Sequence, residues 1–193
     1  MKAAVFLAVM CMASAANAAD AGEQVSVCFN YGCLTQEDVV FSEAQLGELG
    51  QWLWRAHTPA EERVVIGEAV GRLLGWAGRQ SSISADKGGN YADDAVYGRM
   101  DCIDHSTTTT RLLRLLERRG LLRFHRVLEP ARRLRFLVLQ HYSALIEETG
   151  DDRDDSAPAR FVVDSWFFDN GHPAAVMPLD AWMSGESPDD YDG

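Results

Sequence analysis

The chain has 193 residues, 47% of them hydrophobic and 24% charged. That composition describes one globular domain with room for a real core, and it excludes a disordered chain. Lys and Arg number 18 against 29 Asp and Glu, a formal net charge of −11. No basic stripe interrupts that balance, which argues against a nucleic-acid partner.

Met1-Lys2, an apolar run over 3–13 and Ala16-Asn17-Ala18 make a secretory signal peptide over 1–18, cleaved before Ala19. The run is too short to cross a bilayer, and no later run approaches the ~20 apolar residues a span needs. The expectation is an exported protein, periplasmic or secreted, without an integral membrane segment after cleavage. Residues 19–185 read as a single domain, and the Pro- and Asp-rich residues 186–193 as a flexible tail.

Removing the leader discards Cys11 and leaves Cys28, Cys33 and Cys102. The simplest pairing is a local disulfide between Cys28 and Cys33 across Phe29-Asn30-Tyr31-Gly32, a turn-forming stretch. A bridge from Cys102 to either of the others stays open at this point. The lead-in over 19–41 is strand-rich. Ser42 with Gln45 is a capping box and opens a helix over 43–56, with Leu46, Leu49 and Leu53 on one face. Thr58-Pro59-Ala60-Glu61 is a second box, starting a helix that runs to about Gly78.

Residues 80–100 are polar and glycine-rich, a long loop of the kind that is usually functional. A helix follows from Cys102 or Asp104 to Arg119 and stops at Gly120. Apolar runs over 122–128, 136–146 and 161–168 read as strands. The acidic run over 149–156 is a solvated hairpin loop, lacking the alternating ligands and terminal Glu of an EF-hand. Helices followed by strands predict an α+β fold with an antiparallel sheet.

Cys102 falls where the polar loop meets the helix, and a helix N-terminus carries about +0.5 of an elementary charge, which favours an anion there. Thr109, Leu113 and Leu116 share its helical stripe, so the sulfur crowns the face turned to the sheet. Its neighbours Asp101, Asp104 and His105 are polar company for a nucleophile rather than for a structural thiol. A nucleophilic thiol needs a base, and the base needs an orienting group. His105 lies three residues along the helix. His141 lies in a strand, on the face of Leu137, Leu139, Ser143 and Leu145. Pairing His141 with Asp164 in an antiparallel hairpin centres the turn between Asp152 and Arg153, in the middle of the acidic loop. The simplest register therefore sets the two opposite each other on one face, Cβ atoms about 5 Å apart. A buried carboxylate in Phe161-Val162-Val163-Asp164 also needs a partner of this kind.

Asp101-Cys102-Ile103-Asp104 opening a helix, His141 on a strand and Val163-Asp164 on the next resemble the transglutaminase-like cysteine peptidases, within the wider papain-like group. Arg99-Met100 stands where family members often carry a glycine. The resemblance implies an exported bacterial member, with helices packed on an antiparallel sheet and the catalytic Cys at a helix N-terminus. It implies a catalytic set of Cys102, His141 and Asp164, acting on peptide or protein amides through a thioester, by hydrolysis or acyl transfer, without a cofactor or metal. The oxyanion would be held by the Cys102 backbone N–H, with Asn90 and Gln140 as side-chain candidates. The alternatives are a catalytically silent binding or assembly module, or a metal site formed by the same three side chains.

Overall fold

The computed structural model describes residues 22–89, 93–135, 139–150 and 157–189. The expected leader, Asn90, the centre of the acidic run and the last four residues of the tail lie outside them. Two strands, β1 (Glu23–Phe29) and β2 (Thr35–Phe41), form an antiparallel hairpin. Three helices follow: α1 (Glu43–Trp54), α2 (Pro59–Gly78) and α3 (Cys102–Arg118), with one 3₁₀ turn, Ser82–Ala85, in the loop before α3. Then come β3 (His125–Arg135), β4 (Leu139–Glu148), β5 (Arg160–Asp164), β6 (Ala175–Pro178) and a last short helix α4 (Leu179–Ser184). The four later strands make one antiparallel sheet in the order β3-β4-β5-β6. The fold is thus mixed α+β with two antiparallel sheets. No described helix is long and apolar enough to cross a membrane.

The helix starts follow from their caps. Ser42 Oγ accepts from the Gln45 N–H at 3.2 Å, and Gln45 Oε1 accepts from the Ser42 N–H at 2.9 Å, closing the first box. Thr58 caps α2 by accepting from the Glu61 N–H at 3.2 Å; the Glu61 carboxylate reaches one residue further back, to the His57 N–H at 2.7 Å. Asp101 caps α3, taking the N–H groups of Ile103 and Asp104 at 3.0 and 2.9 Å.

Strand alternation divides the sheet into two faces. Ala144, Ile146 and Val163 point into the main core, against Leu112, Leu113, Leu115 and Leu116 of α3 and the apolar faces of α1 and α2. Leu145 and Val162 point the other way, into a smaller cluster closed by Trp182 of α4. A third cluster of Trp166, Phe167 and Ala175 receives Cys102 at the end of the sheet. β3 carries Pro130 without breaking the sheet, because the register shifts between Leu128 and Ala131 and the proline falls in that irregularity.

Two glycines let α2 lie against the segment that leads into β6. The Ala174 N–H donates to the Gly67 carbonyl at 3.0 Å. A Cβ on Gly71 would stand 2.4 Å from the His172 carbonyl oxygen, closer than any side chain tolerates. At the other end, Glu62 of α2 is fully buried and accepts from the N–H groups of Arg123 and Phe124 at 2.7 and 2.9 Å, and meets His125 Nδ1 at 2.8 Å. Burial pushes its carboxyl up, but His125 and the two backbone donors outweigh that and hold it below the usual carboxylate range.

Candidate active site

Cys28 and Cys33 are joined in a disulfide and Cys102 is a free thiol. Cys102 is the first residue of α3, partly buried, with Sγ 3.9 Å from the Gln140 carbonyl of β4. The Asp101 cap takes the N–H groups of Ile103 and Asp104, and no described side chain accepts from that of Cys102. A backbone donor therefore stands beside the thiol, at the positive end of the helix.

His141 is buried on β4 and its Nε2 lies 2.7 Å from Asp164 Oδ2 on β5. The register that brings them together differs from the simplest one. Ala144 pairs with Val163 and Leu145 with Val162, so one step further on Asp164 stands opposite Ser143, two residues from His141. A shift of two residues keeps both side chains on the same face, whereas a shift of one would have put them on opposite faces. The pair thus forms on the diagonal, a distance that an imidazole spans.

With Nε2 committed to Asp164, Nδ1 is the nitrogen left for the thiol, and Cys102 packs into the cluster of Trp166 and Phe167 that also lies against the imidazole. Trp166, Phe167 and Trp182 surround the imidazole, ring centres 5.0, 5.9 and 5.6 Å away. Burial pulls the His141 pKa down, but hydrogen bonds to Asp164 and Cys102 and their charges outweigh it and raise the value to about 9. The ring therefore holds its second proton at neutral pH, which suits it to face a thiolate. Asp164 is fully engaged: besides His141 it accepts from Trp182 Nε1–H at 3.0 Å and from the Trp166 N–H at 3.2 Å.

The remaining candidates lie elsewhere. His105 turns away from Cys102, with Nδ1 2.9 Å from Ser165 Oγ and Nε2 3.0 Å from Asp86 Oδ2. Ser165 also meets Thr109 Oγ1 at 2.9 Å, so this buried cluster ties the first turns of α3 to the end of β5. The Gln140 side chain is exposed, on the opposite face of β4 from His141, and accepts from the Tyr142 hydroxyl at 3.2 Å; only its backbone carbonyl approaches the thiol. Asn90 lies outside the described residues.

One contributor, Trp182, escapes a reading of the sequence, and the capping role of another, Asp104, does too. Trp182 belongs to a six-residue helix too short to show a period. Asp104 completes a capping box with Asp101, its Oδ2 accepting from the Asp101 N–H at 3.1 Å. The Asp-x-x-Asp spacing was the available clue, though the pattern is usually Ser or Thr followed by Glu or Gln. Burial, with the Asp101 charge, raises the Asp104 carboxyl to about 6 against the pull of the backbone N–H groups of Asp101, Cys33 and Tyr31.

No family model matches the chain, and neither does any curated protein or solved structure.

Proposed function

We propose that this chain is an exported thiol enzyme of the transglutaminase-like, papain-related kind, acting on peptide or protein amides. The observation that carries the reading is the buried imidazole of His141, held by the buried Asp164 carboxylate in the same aromatic cluster that receives the free thiol at the head of α3. In this reading the thiol proton of Cys102 already resides on His141 Nδ1 in the resting pair, and Asp164 fixes the ring through Nε2 and stabilises its charge. The thiolate attacks the amide carbonyl carbon. The C–S bond forms, the C–N bond breaks, and the amine leaves with the proton returned by His141. The Cys102 N–H stabilises the oxyanion on the way. The thioester then passes its acyl group to water or to an amine.

The test is trapping with an electrophilic amide analogue. Mass spectrometry is expected to find one adduct, on Cys102, absent in Cys102→Ala and formed at least about tenfold more slowly in His141→Ala. An adduct that forms equally fast without His141 would refute the enzyme and favour a silent module with an ordinary thiol.

A further inference from the structure

The Cys28–Cys33 loop is built onto the head of α3, and its purpose is not explained by the hairpin it closes. Four successive residues, Asn30, Tyr31, Gly32 and Cys33, have φ of +63°, +64°, +65° and +57°. Glycine, and to a lesser degree Asn30, adopts this backbone readily, but Tyr31 and Cys33 do not, so their surroundings must enforce it. The enforcement comes from two sources. One is the disulfide, whose Cα atoms stand 4.7 Å apart. The other is a pair of carboxylates that flank Cys102. The N–H groups of Tyr31 and Cys33 donate to Asp104 Oδ2 and Oδ1 at 2.8 and 2.6 Å. The Gly32 N–H donates to Asp101 Oδ2 at 3.0 Å.

The same two carboxylates cap the helix. Asp101 uses Oδ1 for the first-turn N–H groups and Oδ2 for the loop, and Asp104 Oδ2 serves both the Asp101 N–H and Tyr31. Every oxygen that sets the first turn around Cys102 is therefore shared with, or paired to, an oxygen held by the disulfide loop. Further contacts align the loop with the helix: the Asn30 N–H on the Arg99 carbonyl at 2.8 Å, and the Cys28 N–H on Thr108 Oγ1 at 2.9 Å.

We propose that the Cys28–Cys33 loop is a redox-controlled latch, which acts through Asp101 and Asp104 as positioning residues to hold Cys102 in its reactive place. This rests on Cys102 being the nucleophile. An external dithiol opens the latch: the Sγ–Sγ bond breaks, two thiols form with two electrons and two protons from the dithiol, and the dithiol leaves as its own disulfide. The left-handed turn then loses its covalent closure, its three N–H groups drift from the carboxylates, and the first turn of α3 loosens under Cys102. In a reducing compartment the thiol is dormant, and oxidation of the loop switches it on.

The experiment measures alkylation of Cys102 by iodoacetamide, read on its own peptide by mass spectrometry. The full chain is compared with Cys28→Ser/Cys33→Ser, Asp104→Asn and the triple variant, with the fold followed by near-ultraviolet circular dichroism. Labelling is expected to slow by about tenfold in the double variant, the order of losing a positioned base. Asp104→Asn, with its disulfide intact, should reach the same level, and the triple variant should go no lower. That lack of further loss separates a shared route from two independent weakenings of the fold. Unchanged labelling in a folded double variant overturns the latch, and so do losses that multiply in the triple variant. Should the double variant fail to fold, Asp104→Asn decides alone, and wild-type labelling there is the refuting result. His141→Ala distinguishes the two levels: if it labels as fast as wild type, the nucleophile reading fails. If it slows while the loop variants do not, only the latch fails.

Discussion

The protonation of His141 offers the most direct check on the site. Its rise from the ordinary 6.5 to about 9 corresponds to about 3 kcal/mol of preference for the imidazolium in the folded chain. The sign follows from linkage. A base whose folded pKa lies above its unfolded one contributes stability that is fully present below 6.5 and is lost as the pH climbs through 9. Asp164 is the first of the partners that raise it, so Asp164→Asn keeps the shape and removes the charge. Burial then acts with less opposition and the His141 pKa should fall by at least about one unit, toward the ordinary value. A proton NMR titration of the His141 ring reads this directly, and a repeat in Cys102→Ala removes the contribution of the thiol. Urea melts at pH 6 and pH 9.5 give the energetic counterpart. The wild-type pH dependence alone does not single out one group. The difference between wild type and Asp164→Asn isolates His141, and the wild type is expected to lose at least about 1 kcal/mol more, rising to about 3 kcal/mol if the His141 pKa returns fully to its ordinary value. A wild-type His141 that titrates near 6.5, or one that stays near 9 in Asp164→Asn, would refute the account of the pair.

Those elements whose signals are local were open to a reading of the sequence. Ser42 and Gln45, and Thr58 with its following proline, mark helix starts through contacts made within four residues, and the structure makes those contacts. The stripe of Thr109, Leu113 and Leu116 is buried as its spacing demands. The long runs that became β4 and β5 also declared themselves, yet their register did not, because the sequence between them carries no short turn signal, such as Asn-Gly, that would fix the pairing. His141 and Asp164 still share a face, since the error in register was even. β6 and α4 span four and six residues, too few for either period to show, and α4 carries the tryptophan that anchors Asp164. The turn of residues 30–33 was hidden for another reason. Tyr31 and Cys33 have no local preference for a left-handed backbone, and their conformation is imposed by carboxylates some seventy residues away. Local consistency reveals helices and strands; the assembly of the site depends on contacts that no window of sequence contains.

Trp182→Phe keeps the aromatic cover over His141 but removes the donor 3.0 Å from Asp164 Oδ2. It should cost about 2 kcal/mol in a urea melt, the scale of a hydrogen bond to a buried charge; a loss below about 0.5 kcal/mol would deny the indole that role. The glycines of the helices allow a sharper test, because one substitution should change sign with position. In α1, a Cβ on Gly47 meets nothing within 4 Å, so Gly47→Ala should stabilise the fold by about 0.5–1 kcal/mol through helix propensity alone. In α2, a Cβ on Gly71 meets the His172 backbone at 2.4 Å. Gly71→Ala must push residues 172–174 off the helix, and should destabilise by about 1–3 kcal/mol. The strain has a direction. Residues 172–174 lead into β6, whose Ala175 pairs with Asp164, so displacement there reaches the carboxylate that orients His141. Gly71→Ala should therefore slow Cys102 alkylation as well as lower the melting midpoint, while Gly47→Ala leaves alkylation unchanged. Equal stability changes at the two positions would show that α2 does not rest on that segment, and a destabilised Gly71→Ala with wild-type alkylation would show that β6 does not hold Asp164 in place.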